Sequence, residues 1–244
     1  MFLVIDIGNT NQKAALFDDK GCQISFIQQI TLTVSDLQTL IGQHNLHSAI
    51  LSSVGNMDST VLNWLEHQVR LIQFSTNLPL PLQIQYESAD TLGTDRIACA
   101  VAANAMFPNQ NVLSIQAGTC LVTDFVDSTN TYLGGSISPG LQMRFHALHE
   151  HTAHLPLLEP QTINSFTGNS TQNSILSGVI NGLSCEIDGF IGHYLSHYPD
   201  TVTILTGGDA PLLQNYIKNR IFAAPNLVLQ GLYKILRYNT DDLS

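Results

Sequence analysis

Two stretches of this 244-residue chain follow one plan, and that plan narrows the folds open to it. Phe2 to Ile5 is an unbroken apolar run that ends at Asp6, turns through Gly8-Asn9-Thr10 and resumes as Ala14-Ala15-Leu16-Phe17. Val112-Leu113-Ser114-Ile115 likewise gives way to Gly118-Thr119 and then to Leu121 through Val126. Short apolar runs bounded by glycine read as strands, the first of them buried on both faces. Each stretch is thus strand, glycine turn, strand. The likeness is one of architecture and not of repeated residues, and it suggests two similar halves. Pro108 and Asn109 mark the boundary, dividing the chain into domains 1–107 and 108–244.

The rest of the sequence alternates strand and helix signals, as an α/β sheet requires. Ala49-Ile50-Leu51 is a strand ending in Ser52-Ser53, and Ser59 to Val69 has helical spacing through Val61, Leu62, Leu65 and Val69. Asn77 to Gln85, with Pro79 and Pro81, is an extended connection. Thr94 to Met106 is a helix whose alanines, 98, 100, 102, 103 and 105, allow close packing. A glycine-rich stretch follows at 134–140, then a helix from Gln172 to about Leu195, then a strand Thr201 to Leu205 ending in Thr206-Gly207-Gly208. Three strands therefore end in glycine, at the edge where open α/β sheets gather ligands.

Charge restricts what those ligands are. Nine Lys and Arg stand against 19 Asp and Glu, a net −10, and only 11% of residues are charged where about a quarter is usual. Binding nucleic acid by counterion release needs several cations on one face, so that role is disfavoured. The 44% apolar content is ample for a buried core. No run approaches the roughly 18 apolar residues of a membrane span, and no basic leader precedes Asp6. Cys22, Cys99, Cys120 and Cys185 are widely spaced without a C-x-x-C pair, which suits buried free thiols in a reducing cytoplasm.

Two segments carry the chemistry. In Asp6-Ile7-Gly8-Asn9-Thr10 a carboxylate ends a buried strand and a short polar turn follows, an arrangement that offers N–H groups to an anion and an acid to a hydrated divalent cation. The same residues also make an ordinary hairpin turn. Turns at Gln116-Ala117-Gly118-Thr119 and Thr206-Gly207-Gly208 favour a nucleotide, with two turns for phosphates and one for the adenosine. In Gly93-Thr94-Asp95-Arg96 an acid able to take a proton adjoins a base able to hold an anion. It reads equally as a helix start capped by Thr94 or Asp95.

In their order and spacing the segments resemble the type III pantothenate kinases of the actin, hexokinase and chaperone ATPase superfamily. The resemblance rests on I-D-I-G-N-T-N at 5–11, S-S-V at 52–54, Tyr86 seven residues before G-T-D-R at 93–96, and A-G-T at 117–119. It continues through Asp124, G-G-S-I-S-P-G-L at 134–141, T-A-H-L-P at 152–156, G-N-S-T at 168–171, S-G at 177–178 and T-G-G at 206–208. It implies two ribonuclease H-like, actin-like ATPase domains around a central cleft, and ATP-dependent phosphorylation of pantothenate, the first step toward coenzyme A, in a cytoplasmic homodimer. Mg²⁺ and a monovalent cation, K⁺ or NH₄⁺, are the family's ions. By the same resemblance Asp6, Ile7, Gly8, Asn9, Thr10, Asn11, Gln12 and Lys13 form the first ATP turn, with Thr119, Gly207 and Gly208 as further ATP contacts and Asp6 beside Mg²⁺. Asp95 matches the proton acceptor. Tyr86, Gly93, Thr94, Asp95, Arg96 and Thr171 match pantothenate-binding positions, Thr171 across the dimer interface.

The sequence departs from that pattern at one turn. Many relatives have an aspartate at the monovalent-cation position where this chain has Gln116, whose amide oxygen lacks the full charge that holds a hard cation. Cys120 and Val122 replace the usual alanine and threonine, and Thr123 points to the other face of its strand. Weak stimulation by K⁺ or NH₄⁺ is the expectation. A kinase for another small hydroxy acid and a non-catalytic nucleotide-binding regulator are the alternatives, although a regulator has no need of Asp95. His146, His149, His151 and His154 crowd together, but on a helix they fall at about 0°, 300°, 140° and 80°, which leaves no chelating face.

Overall fold

The computed structural model describes residues 1–53 and 57–241, and Val54 of the S-S-V motif lies outside them. The chain divides into two units, Met1–Met106 with Asn130–Tyr132 and Asn226–Ser244, and Phe107–Thr129 with Leu133–Pro225. The first unit begins with β1 (Phe2–Ile7), β2 (Gln12–Phe17), β3 (Gln23–Gln29), α1 (Val34–Ile41), β4 (Ser48–Ser53), α2 (Ser59–Gln68) and β5 (Leu71–Gln73). Its sheet runs β3-β2-β1-β4-β5, antiparallel across β1–β3 and parallel from β1 through β4 to β5. β6 (Gln83–Ile84), within the expected extended connection, pairs with Thr131 and Tyr132 of the same unit, and α3 (Thr94–Met106) follows. Leu3, Ile5, Ile7 and Leu51 meet Leu37 of α1 and Leu65 of α2 in one core.

The second unit repeats the plan. β7 (Val112–Ala117), β8 (Cys120–Val126), β9 (Thr131–Pro139), α4 (Leu141–Glu150), α5 (Thr171–His197), β10 (Val202–Thr206), α6 (Ala210–Leu213) and β11 (Phe222–Ala223) follow in order. The strands run β11-β10-β7-β8-β9, with β7 antiparallel to β8 and parallel to β10. Strand for strand this is the first unit's order, so both units have the ribonuclease H-like arrangement. Leu113, Ile115 and Phe125 pack against Ile180, Leu183 and Ile187 of α5. The glycine-rich stretch at 134–140 is mostly strand, since β9 runs through it to Pro139.

The chain does not stay in its second half, as a domain 108–244 would require. Its last helix, α7 (Leu227–Asp241), belongs to the first unit and lies along α3. Gly231 sets how closely they approach, because a Cβ there would stand 1.8 Å from the Ala98 carbonyl oxygen. Leu232, Ile235 and Leu236 of α7 are buried. Periodicity identifies such a face but not the elements that will cover it, so a single division near residue 107 does not include the return from Asn226 onward.

Burial of the thiols also differs from expectation. Only Cys99 is buried; Cys120 is partly so, and Cys22 and Cys185 are exposed, in the β2–β3 turn and on the outer side of α5. Composition reports a tendency for thiols, whereas helix phase and turn position place each one. Among the described residues no helix is long and apolar enough to cross a membrane.

Candidate active site

In the first unit three strands bring polar residues to one level of the sheet. Asp6 is the fifth residue of β1 and the only one of the strand's six that is not fully buried. It pairs with Lys13 of β2 on one side and Ser52 of β4 on the other. Paired positions share a sheet face, so the acid, the amine and the hydroxyl are neighbours. Ser52 is buried, and its hydroxyl lies 2.9 Å from that of Thr94, the first residue of α3. That bond ties the start of α3 to the end of β4 and sets the position of Asp95.

The electrostatics register this convergence. Burial, followed by the nearby Asp95 carboxylate, pushes Asp6 up to about 6, while Lys13 acts in the opposite direction. Asp95 accepts the Arg96 amide N–H at 2.9 Å. The Arg96 side chain is only 7% exposed, with Nη1 3.5 Å from the Tyr86 hydroxyl and the guanidinium carbon 5.7 Å from the Tyr86 ring centre. Tyr86 rests edge-on against Tyr132 at 5.9 Å. Asp6, Lys13, Tyr86, Gly93, Thr94, Asp95 and Arg96 thus all belong to one folded unit.

The turn itself is more selective than its sequence. Ile7 is in the core, and the Gln12 amide oxygen accepts the Leu32 N–H at 2.7 Å, so both side chains serve the fold. The Gly8 N–H closes the turn on the Asn11 carbonyl at 3.1 Å. Asn9 and Thr10 are exposed at its tip.

The second unit has a matching but neutral turn. Gln116, the fifth residue of β7, pairs with Val122 of β8 and Thr206 of β10. Val122 is buried, whereas Thr123 bonds to the Ser136 hydroxyl at 2.8 Å, so no hydroxyl replaces the one missing at 122. Two glycines brace residues 117–119. Gly207 has φ +101°, and a Cβ there would stand 2.0 Å from the Ala117 carbonyl oxygen; neither the dihedral nor the approach suits an L side chain. Gly140 donates to the Thr119 carbonyl at 3.2 Å, and its own Cβ would meet the Gly118 oxygen at 2.1 Å. Exposed Gly208 completes that turn, and Asp209, whose backbone N–H reaches the Ala117 carbonyl at 3.1 Å, follows it. Partial burial raises the Asp209 carboxyl, a residue that sequence reasoning passed over. Its only signal was adjacency to the glycine pair.

Thr171 is the first residue of α5 and belongs to the second unit, whereas Tyr86 and Gly93 to Arg96 belong to the first. The histidine run is not one helix. α4 ends at Glu150, His146 pairs with Glu150 at 3.7 Å, and the His149 ring meets the Leu155 carbonyl at 2.7 Å. Asp124 is buried on β8, where it contributes to raising the Tyr194 hydroxyl, chiefly shifted by burial.

The family model for type III pantothenate kinase matches residues 2–193. A type III pantothenate kinase from Christiangramia forsetii is 42% identical over 98% of this chain and 99% of its own length, and one from Flavobacterium johnsoniae is 39% identical over 99% and 100%. The chain belongs to this family. Solved structures support the fold alone: a Baf family protein from Campylobacter jejuni superposes with TM-score 0.62 at 20% identity, covering 98% of this chain and 99% of that one. The Clostridium difficile activator of 2-hydroxyisocaproyl-CoA dehydratase, with bound ADPNP, gives 0.54 at 12% over 99% and 94%. A ROK family glucokinase from Streptomyces griseus gives 0.52 at 12% over 96% and 98%. The fold is that of the actin-like ATPases and sugar kinases.

Proposed function

We propose that this member of the family transfers the γ-phosphoryl group of ATP to the primary hydroxyl of pantothenate, giving 4'-phosphopantothenate for coenzyme A synthesis. Full-length identity near 40% to type III pantothenate kinases carries this reading. The grouping of Asp6, Lys13, Asp95 and Arg96 within one unit supports the roles assigned below.

Phosphoryl transfer passes through a loose transition state, so the protein's work is to align the acceptor and balance charge. Asp95 orients the pantothenate hydroxyl and accepts its proton late in transfer. Arg96, held against Tyr86, balances the substrate carboxylate, and Gly93 and Thr94 complete that contact. Lys13 and the exposed tip of its turn, Asn9 and Thr10, contact phosphate, and Thr119, Gly207 and Gly208 are further ATP contacts.

The surroundings of Asp6 fit a hydrated Mg²⁺. Two acids face one amine there, and burial first, then the Asp95 charge, raises Asp6. Mg²⁺ keeps several waters and takes one or two carboxylates together with phosphate oxygens, so Asp6 would hold it without a closed cage. When bound, it neutralises charge on the phosphates. At Gln116 the amide gives a monovalent cation little hold, and stimulation by K⁺ or NH₄⁺ is weak. The working form is a cytoplasmic homodimer in which Thr171 of the partner subunit reaches pantothenate. The test is to incubate the protein with ATP, Mg²⁺ and pantothenate and assay 4'-phosphopantothenate by mass spectrometry. Product should form with the native chain and at least about a hundredfold more slowly with a folded Asp95→Asn variant. An Asp95→Asn variant within about tenfold of native activity would overturn the proton-acceptor role, and transfer only to some other hydroxy acid would overturn the substrate.

A further inference from the structure

The corner between β9 and α4 is held by an ion pair, Arg144 with Glu186, neither of whose residues lies in the motifs. Glu186 of α5 takes the Arg144 Nη2 on one carboxylate oxygen at 2.5 Å and the Ser138 hydroxyl on the other at 2.5 Å. Arg144 Nε donates to the Pro139 carbonyl at 2.8 Å. The next residue, Gly140, donates to the Thr119 carbonyl and leaves no room for a side chain against Gly118. Ser138, Pro139 and Gly140 are thereby fixed at three successive points, and the last of these is the backing of the Gly118–Thr119 turn.

We propose that Arg144 and Glu186 are positioning residues for the nucleotide, holding the Ser138–Gly140 corner against the Gly118–Thr119 turn so that its groups meet the phosphates in register. The inference rests on the reading that this turn receives ATP. Their side chains are 24% and 26% exposed, so the pair is largely shielded from water, and removing one charge lowers Tm somewhat whatever else the pair does. What the pair supplies is geometry. The planar guanidinium reaches the Pro139 carbonyl and Glu186 at once, which the single point charge of lysine does not do. Loss of either partner lets the corner relax, and Thr119, bonded to Gly140, relaxes with it.

The experiment compares Arg144→Lys, Arg144→Met, Glu186→Gln and Glu186→Leu with the native chain by steady-state kinetics, ADP calorimetry without pantothenate, and Tm. Arg144→Met and Glu186→Leu should raise the KM for ATP about tenfold, below the roughly hundredfold cost of a full ångström of misplacement. The Kd for ADP should rise in parallel, the KM for pantothenate should stay within about twofold, and Arg144→Lys and Glu186→Gln should fall between. Unchanged ATP and ADP values overturn the proposal. So does a rise in both KM values together with a lower Tm, which marks a merely structural pair. If the native chain binds ADP but does not phosphorylate pantothenate, the substrate reading fails while the calorimetric comparison still decides this one; if it binds no ADP, both fall.

Discussion

Strands β1 and β7 show the same burial along their lengths, with five positions closed and the fifth partly open, yet the open position is Asp6 in one and Gln116 in the other. Their neighbours differ in the same sense: Lys13 and Ser52 flank Asp6, whereas Val122 and Thr206 flank Gln116. One backbone plan thus carries a charged site in the first unit and a neutral one in the second. The charged version has an energetic cost, registered in the raised Asp6, which comes chiefly from burying the carboxylate and next from the Asp95 charge beside it. In the neutral version close backbone packing at Gly140 and Gly207 is the main ordering device.

If the charged unit performs the chemistry, the largest effect will come from its acceptor. Asp95→Asn should lower kcat by about 10²–10⁴, the usual contribution of a positioned acid or base, with ADP affinity nearly unchanged by calorimetry. A kcat within tenfold of native would remove Asp95 from the mechanism.

Asp6→Asn should lower kcat by a smaller factor than Asp95→Asn and yet stabilise the metal-free fold. The folded state binds this proton more tightly than the unfolded chain, about 6 against 3.8, with Asp95 and Lys13 the charged groups facing it. Ionised Asp6 therefore destabilises the fold above pH 6, and the penalty fades as pH falls from about 6 toward 3.8. A shift of this size corresponds to roughly 2–3 kcal/mol. Urea titration in EDTA should find the variant more stable by that order at pH 8, with the gap closing near pH 4. Equal stability at pH 8 would contradict the charge balance described for the first unit.

In the neutral unit, Gly207→Ala should cost about 1–3 kcal/mol, since it forces a left-handed backbone and a clash with Ala117. Thermal unfolding gives the stability and kinetics the accompanying rise in the KM for ATP. The smallest effect should come from Gln116→Asp, which makes the neutral turn more like the charged one. Native enzyme should gain less than about twofold from K⁺ and the variant several-fold, because a carboxylate holds a hard cation better than an amide. Strong stimulation of the native chain would mean that the amide suffices.

Residues close in sequence were legible without the fold. The two strand–turn–strand units, the bounds of α3 at Thr94 and Met106, and the Asp6–Lys13 and Gly93–Arg96 segments all declare themselves through local pattern. α1 carries a local signature too, the reciprocal Thr33–Asp36 cap, but its apolar face is only Leu37 and Ile41, too short to stand out as a helical period. Partners distant in sequence were not legible. Nothing near Ser52 indicates that its hydroxyl meets Thr94, and nothing near Arg144 points to Glu186, because both bonds exist only after strands and helices have been laid side by side.

The sequence by itself determined the alternation of elements, the glycine turns at strand ends and the residue types available for phosphoryl transfer, since these depend on backbone sterics and side-chain chemistry within a few residues. Tertiary structure alone decided that α7 returns to the first unit, that Gln12 holds the Leu32 N–H while Gly8 closes the turn, and that Asp6 lies close enough to Asp95 for one charge to raise the other. Those outcomes depend on through-space distance, which pairing and packing set and sequence separation does not encode.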